Sequence, residues 1–189
     1  QTSKVVEKNT TNASLNPYFP KTKPISSQDV LKSSLIADPL SELDEYPISE
    51  GAVCLILATE EKAKKLCKNP VWISGYGTCK DGYDLGSRDL TGSASLEIAA
   101  NKAYKIAGIT AKDADLFMIS DSYSYQELMW TEALGLCERG KGGKLIDTGE
   151  TYLGGLMPVN PSGGVLAGVP ILIQGLNRIA EATYQLQGK

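Results

Sequence analysis

Two adjoining segments decide the fold class: residues 52–58 read AVCLILA, and residues 59–65 read TEEKAKK. A continuous apolar run of strand length is typical of a strand covered on both faces, as in a sheet between layers of helices. Thr59 is a suitable N-cap, and the placement of acids before lysines complements the dipole of a helix. The pair of segments therefore predicts a strand followed by a helix, with Cys54 in the core.

The same alternation continues toward the C-terminus. The glycines in residues 71–77 predict a strand with a bulge or a close backbone approach. The sequence then predicts a helix at 93–107 ended by Gly108, a buried strand at 115–119, and helices at about 124–136 and 165–187. Strands that alternate with helices predict an α/β layered fold.

The N-terminal part has a different character. In residues 1–47 the pairs Asn16-Pro17 and Phe19-Pro20 interrupt any helix. Residues 26–29 read SSQD and predict a capped short helix. We expect this part of the chain to consist of helix ends and connectors and to have little core of its own.

Composition restricts the class of protein. The chain has 189 residues, 42% of them hydrophobic and 22% charged, so it can bury a core and is not a disordered protein. The net charge of −3, without a basic block, argues against a nucleic-acid or anionic-membrane surface. No apolar stretch reaches the roughly 18–20 residues of a membrane span. We expect a cytoplasmic protein.

The absence of histidine has the strongest chemical consequence. With no histidine in the sequence, Ser-His-Asp triads, Cys-His dyads and histidine-ligated metal sites are excluded. The four cysteines, at positions 54, 67, 79 and 137, form no C-x-x-C pair, so no metal site is predicted. Scattered thiols without a disulfide framework suggest a reducing compartment.

Three local patterns are candidates for chemistry. Residues 120–125 read SDSYSY and follow the predicted strand at 115–119, where α/β sheets place their sites. Asp121 and its serines could equally cap the next helix, and the two roles are compatible. Residues 133–143 read ALGLCERGKGG, which is also the composition of an ordinary helix end and turn.

The third pattern is the loop PVNPSGGVLAGVP at residues 158–170. Small residues before a helix let backbone amides approach a negative charge, although a tight turn needs the same residues.

Five stretches of sequence follow one another in the order known from one protein family. They are residues 5–9 with 16–17, 30–40, 47–52, 134–137 and 160–164. Together they resemble the thiolase superfamily, and specifically its sterol-carrier-type and archaeal acetyl-CoA acetyltransferase branch. The resemblance implies the layered αβαβα thiolase fold, of which this chain supplies mainly the C-terminal half. Residues 1–69 correspond to the end of the N-terminal domain and a loop region, and residues 70–189 to the C-terminal domain without its final hairpin.

The resemblance also assigns site residues. Thiolases act on acyl groups carried by coenzyme A, which is a substrate rather than a permanently bound cofactor. The family's nucleophilic cysteine belongs to the first half of the fold, before Gln1, and its closing hairpin would follow Lys189. Ser120 stands where the family has the histidine of its His-Asp-x-Phe pattern, and Val169 stands at the histidine of its Gly-His-Pro turn. Valine cannot exchange a proton, so Val169 is not competent as a base.

Ser120, Asp121 and Tyr123 remain as candidate catalytic groups. The resemblance places coenzyme A contacts in the small-residue loop, at Ser162, Gly163, Gly164 and Gly168.

These observations leave three functional hypotheses open. The first is a thiolase-like acyltransferase with lost or altered catalysis, and the second is a non-catalytic scaffold or substrate-channelling subunit. The third is a retro-aldolase-type C–C lyase, a branch that has tyrosines at both histidine positions and works with an OB-fold, zinc-containing partner. Tyr123 and Tyr125 lie near the first of those positions without matching it.

Assembly is part of the expectation. The chain should pair with its own N-terminal half or with a separate N-terminal chain, as a homodimer or a larger complex. Helices 93–107 and 165–187 are the expected inward elements.

Overall fold

The computed structural model describes residues 1–19 and 23–188 of the chain. Within these residues a short antiparallel hairpin, β1 (Leu35–Ala37) and β2 (Leu40–Ser41), is the only sheet. The α-helices are α1 (Thr2–Leu15), α2 (Ser27–Lys32), α3 (Glu60–Leu66), α4 (Ala94–Ala107), α5 (Ser124–Ala133), α6 (Gly142–Thr148) and α7 (Gln174–Gln187). None of these helices is long and apolar enough to cross a membrane.

Helix α1 lies at the centre of the described structure, with eight of its fourteen residues buried. Val5 and Val6 pack with Val30, Ile146 and Leu166 in one core cluster. Residues 1–47 are therefore more than helix ends and connectors, although their core is completed by Ile146 and Leu166 and is not their own. The buried face of α1 is largely polar, so hydrophobic patterning gave no sign of it.

Helices α4 and α7, the expected inward elements, bury fewer residues than α1. Helix α4 buries only Ala100, and the buried residues of α7 are Arg178, Ala180 and Glu181. Ile106 and Ile179 on these helices are exposed in the described residues, and the expectation that both helices face inward in a paired assembly stays a prediction.

A second cluster joins the segment at 115–119 to the helices that follow it. Phe117 and Ile119 pack there with Leu136, Leu145 and Val159. Phe117 and Val159 form an isolated parallel bridge, in which Phe117 N donates to Pro158 O at 2.8 Å and Asn160 N donates to Phe117 O at 2.8 Å. The buried strand predicted here is thus reduced to one bridge.

The predicted strand at 52–58 is unpaired. It contains no strand residue, and Ile56 and Leu57 are 88% and 78% exposed. Cys54 is exposed as well, so its assignment to the core is wrong. A strand exists only when a neighbour satisfies its backbone groups, and the described residues offer this segment no such neighbour. The segment at 71–77 is unpaired for the same reason.

Local helix signals were more dependable. Ser26 Oγ accepts from Asp29 N at 3.2 Å at the start of α2, and Ser93 caps α4. The acids and lysines of α3 form two i,i+4 pairs, and Gly108 ends α4 with φ of +71°.

Two further helix ends can be compared with the sequence. Helix α1 ends at Leu15, as Asn16-Pro17 predicts, while Pro20 lies outside the described residues. Helix α7 begins at Gln174 and not at 165. Gly168 has φ of +118°, which lies outside the helical region, so the chain cannot be helical there.

Glycines let the segment at 71–77 lie directly on α4. A methyl group added to Gly77 would stand 1.9 Å from Ala99 O, and one added to Gly75 would stand 2.4 Å from Ala103 O. The close backbone approach predicted from these glycines is confirmed.

The substitution Gly77→Ala should therefore destabilise the protein by about 1–3 kcal/mol, because the new methyl group meets backbone that cannot move aside cheaply. Denaturant unfolding measures the change. Gly82→Ala is the matched control, since the nearest atom to its added methyl group is 3.8 Å away. Equal effects of the two substitutions would contradict the packing described here.

Candidate functional site

The segment that ends at 119 and the loop at 158–170 meet against α1. Asn160 occupies the junction: its Oδ1 accepts from Ile119 N at 2.9 Å, and its backbone oxygen accepts from Asn12 Nδ2 at 3.0 Å. Asn160 has φ of +49°, a left-handed conformation that asparagine tolerates better than most residues. The junction therefore fixes both candidate segments relative to one helix.

Asp121 is 0% exposed and links the same three elements. Its Oδ2 accepts from Asn9 Nδ2 at 2.5 Å, and its Oδ1 accepts from Val165 N at 3.1 Å. A methyl group on Gly164 would stand 2.8 Å from Asp121 Oδ1, so the loop can pass this close to Asp121 only with glycine at position 164. Asp121 does not cap α5: the N-cap is Tyr123, and the oxygens of Asp121 accept from Asn9 and Val165.

A buried ion pair lies beside Asp121. Lys8 Nζ donates to Glu127 Oε1 at 2.5 Å and to Val159 O at 2.8 Å. Asn9 Nδ2 also donates to Glu127 Oε2 at 3.1 Å, so one amide joins the two carboxylates. Lys8 and Glu127 were not among the predicted site residues. Lys8 lies in the first resembling stretch, at 5–9, and no sequence pattern indicated Glu127.

Burial governs the charges of this cluster. It raises the pKa of Asp121 to about 7, an effect that Glu127 strengthens and that Lys8 and Arg178 oppose. Arg178 is 4% exposed, and burial lowers the pKa of its guanidinium, against the attraction of Asp121 and Glu181. Burying the charged forms of Asp121 and Arg178 therefore lowers the free energy of unfolding.

Ser120 and the tyrosines lie toward the surface. Ser120 is half-buried, and its backbone oxygen accepts from Trp130 Nε1 at 3.0 Å. Tyr123 Oη donates to Glu45 Oε1 at 3.3 Å, and its ring stacks on Tyr125 with centroids 6.0 Å apart. The negative charge of Glu45 is the main cause that raises the pKa of Tyr123. Sequence patterns gave no indication of Glu45.

Val169 is 2% exposed and lies in the buried loop with the four predicted coenzyme A contacts. Ser162 Oγ is buried and has no hydrogen-bond partner among the described residues. Gly163 packs on α1, since an added methyl group would stand 2.6 Å from Ala13 Cβ. Contacts between this loop and coenzyme A therefore stay a prediction, and the packing explains the glycines at 163 and 164 without a ligand.

A cavity of about 400 Å³ opens beside Val169 and Gly168. The side chains that give it polar character are Glu50, Cys54, Asn177 and Glu181. Within the described ranges, no three cysteine or carboxylate side chains gather as metal ligands would.

The buried pair can be tested through stability. Lys8→Met should destabilise the protein by about 3–5 kcal/mol, because it leaves the Glu127 carboxylate buried without its cation. Denaturant unfolding measures this loss. The double variant Lys8→Met/Glu127→Leu should recover much of it. Lys4→Met removes an exposed pair with Asp147 and should change stability little. A single variant as stable as the unsubstituted protein would contradict the assignment.

Asp121 predicts how stability depends on pH. Its folded pKa lies above the ordinary value of 3.8, so the folded state binds the proton more tightly than the unfolded chain does. Its contribution to stability is complete below about pH 4, declines as the pH rises toward 7, and stays lost above. Asp121→Asn keeps an acceptor for Val165 N and should flatten that decline in the unfolding midpoint. If the unfolding midpoint depends on pH in the same way in Asp121→Asn and in the unsubstituted protein, the pKa of Asp121 is not raised by folding.

Comparison with known proteins identifies the family. The family described as "Thiolase C-terminal domain-like" matches residues 77–189, more than half of the chain. The acetyl-CoA acetyltransferase of Methanothermobacter thermautotrophicus is 36% identical over 180 residues, which are 94% of this chain and 47% of that relative. Sterol carrier protein 2 of Oryctolagus cuniculus is 36% identical over 204 residues, covering 99% of this chain and 36% of that protein.

A solved structure agrees with these relatives. The Ltp2–ChsH2(DUF35) aldolase superposes with a TM-score of 0.87 at 27% identity, covering 99% of this chain and 50% of that one. The chain spans about a third to a half of the length of the curated relatives it matches. The fold is thiolase-like α/β, as the sequence predicted, and the chain belongs to the thiolase family, whose C-terminal domain residues 77–189 match.

Proposed function

We propose that the chain is the C-terminal half of a thiolase-family protein that takes acyl-CoA as substrate and whose acyl-transfer chemistry is lost or altered. The observation that carries this proposal is Val169. It stands at the second histidine position of the family resemblance, and it is an apolar side chain that is 2% exposed. Valine cannot take a proton from a thiol, so this side chain cannot serve as the family's base.

The groups that remain suit hydrogen bonding better than proton transfer. The hydroxyl of Ser120 has a pKa far too high for acid–base work near neutrality, although it can donate to an oxyanion. Asp121 keeps both oxygens on Asn9 and Val165, which supports a structural role for this carboxyl. Tyr123 is half-buried and keeps a hydroxyl proton to donate.

The proposed partner is the N-terminal half of the same fold. Unpaired extended segments at 52–58 and 71–77 and exposed apolar side chains on α4 and α7 are surfaces that a second half would cover. We place the boundary between the two domains near residue 69, and the working form is a homodimer or larger complex in the cytoplasm.

A second candidate function is C–C bond cleavage of an acyl-CoA by a retro-aldol reaction. The similarity to the Ltp2–ChsH2(DUF35) aldolase favours it. The proposed partner is then an OB-fold, zinc-containing protein, and the zinc belongs to that partner. A non-catalytic scaffold subunit is the outcome if neither chemistry is found.

Binding and turnover assays in the native assembly test the proposal. Acetyl-CoA should bind in calorimetry, and a 3-ketoacyl-CoA with free coenzyme A should be cleaved weakly or not at all. Release of an aldehyde or ketone from a 3-hydroxyacyl-CoA would establish the lyase. Efficient thiolytic cleavage would overturn the proposal of altered catalysis, and absence of all acyl-CoA binding would overturn the acyl-CoA assignment itself.

A further inference from the structure

The cavity of about 400 Å³ beside Val169 lies between α7 and the extended residues 50–54. Close packing holds its walls together, since a methyl group added to Gly51 would stand 3.1 Å from Pro170 Cγ and 3.5 Å from Ile173 Cδ1. The packing of the chain therefore fixes the walls of this cavity.

Two carboxylates give the cavity its charge. Glu181 lies on α7, and Glu50 lies in the extended residues on the other wall. Glu50 is exposed, whereas Glu181 is only 6% exposed. Among the described residues that line the cavity, none is a lysine or an arginine. The cavity is thus negatively charged, and its described lining supplies no cation.

Glu181 lacks the partner that a buried carboxylate requires. Its Oε2 accepts from Asn16 Nδ2 at 3.3 Å, which is a long hydrogen bond from a neutral donor. Arg178 attracts Glu181, but in the described part of the chain no basic nitrogen lies within 4.0 Å of the Glu181 oxygens. Burying a carboxylate is costly unless a cation pairs with it, so a cation in the cavity would stabilise the folded protein.

Aromatic side chains make the same cavity suitable for an organic cation. Tyr18 and Tyr184 stack with ring centroids 5.4 Å apart at an interplanar angle of 24°, and Phe19 lines the cavity with them. The faces of aromatic rings attract the ammonium group of lysine and the guanidinium group of arginine. Both groups also form charge-assisted hydrogen bonds with carboxylates. The chemistry of the cavity therefore fits a basic side chain.

The position of the cavity favours one source for that side chain. Ala52, Val53 and Cys54 line the cavity and also begin the extended segment at 52–58, which has no paired strand among the described residues. A strand that pairs with this segment would lie about 5 Å from it, so side chains on one face of that strand would stand at the rim of the cavity. The N-terminal half proposed above is the chain that we expect to pair there.

We propose that a basic side chain of the N-terminal half enters this cavity and forms an ion pair with Glu181 and Glu50. The inference rests on the proposed function, because it takes the N-terminal half as the partner, and it deepens that proposal by naming the chemistry of the contact. The basic side chain pairs with the buried Glu181 carboxylate and joins the partner to α7 and to residues 50–54 at once.

The structure of the native assembly tests the contact directly. A lysine or arginine nitrogen of the N-terminal half should lie within about 4 Å of a carboxylate oxygen of Glu181 or Glu50. Solvent or an apolar side chain in the cavity, or a cation supplied by this chain itself, would overturn the inference while the N-terminal half remains the partner. An assembly without an N-terminal half would overturn the proposed partner and this inference together.

The substitution Glu181→Gln tests the charge in solution, because glutamine keeps an oxygen for Asn16 Nδ2 and removes only the negative charge. Amide hydrogen exchange at residues 52–58 of the native assembly reports how often this segment separates from its neighbour. The exchange should become at least about 30-fold faster in Glu181→Gln, as expected when a buried charge pair loses one member. Glu138→Gln, which changes an exposed glutamate outside the cavity, should leave the exchange unchanged.

Two results of the exchange measurement would contradict the inference. The first is an unchanged exchange rate at 52–58 in Glu181→Gln. The second is an equal acceleration in α5, because it would show a general loss of stability and not the loss of a local contact.

A small cation distinguishes a docking site from an open ligand site. Propylguanidinium carries the cationic group of arginine on a short alkyl chain. In calorimetry it should not bind to the native assembly, because the partner's side chain already occupies the cavity. Binding that disappears in Glu181→Gln would show that the cavity is open to free cations and would overturn the docking of a partner side chain.

Discussion

The buried polar contacts of Lys8, Asn9, Asp121 and Glu127 organise the rest of the structure. Two side chains of α1 reach across to two carboxylates, and Asn9 Nδ2 touches both of them. Burying these charges is costly unless each has partners at short distance, so the geometry of the surrounding elements must satisfy them. The position of α1, the end of the segment at 119 and the path of the loop after Val159 are therefore mutually dependent.

That dependence explains why the candidate site is built from small residues. The loop passes so close to Asp121 and Asn160 that a side chain at Gly164 would collide with both. Val169 follows in the same buried loop, which the neighbouring elements hold in place. Val169 is itself 2% exposed, so its side chain is part of the packing of this loop.

Sequence reasoning succeeded where the signal is local. The capping box of α2, the glycine that ends α4 and the close approach of Gly77 to α4 each depend on residues a few positions apart or on one glycine. It failed at residues 52–58, where an apolar run predicts a strand but pairing requires a neighbour elsewhere in the fold. It also missed Glu45, because its contact with Tyr123 spans 78 positions and leaves no periodic trace.

The sequence by itself determined the family, the α/β class and the absence of histidine chemistry, since residue identities and ordered motifs need no coordinates. The tertiary structure decided which polar groups work together. It made Asp121 a buried link and not a helix cap, placed α1 at the centre, and brought Glu45 to Tyr123. Burial and long-range hydrogen bonds arise only when distant segments meet, so their consequences for charge and reactivity become visible only in the folded chain.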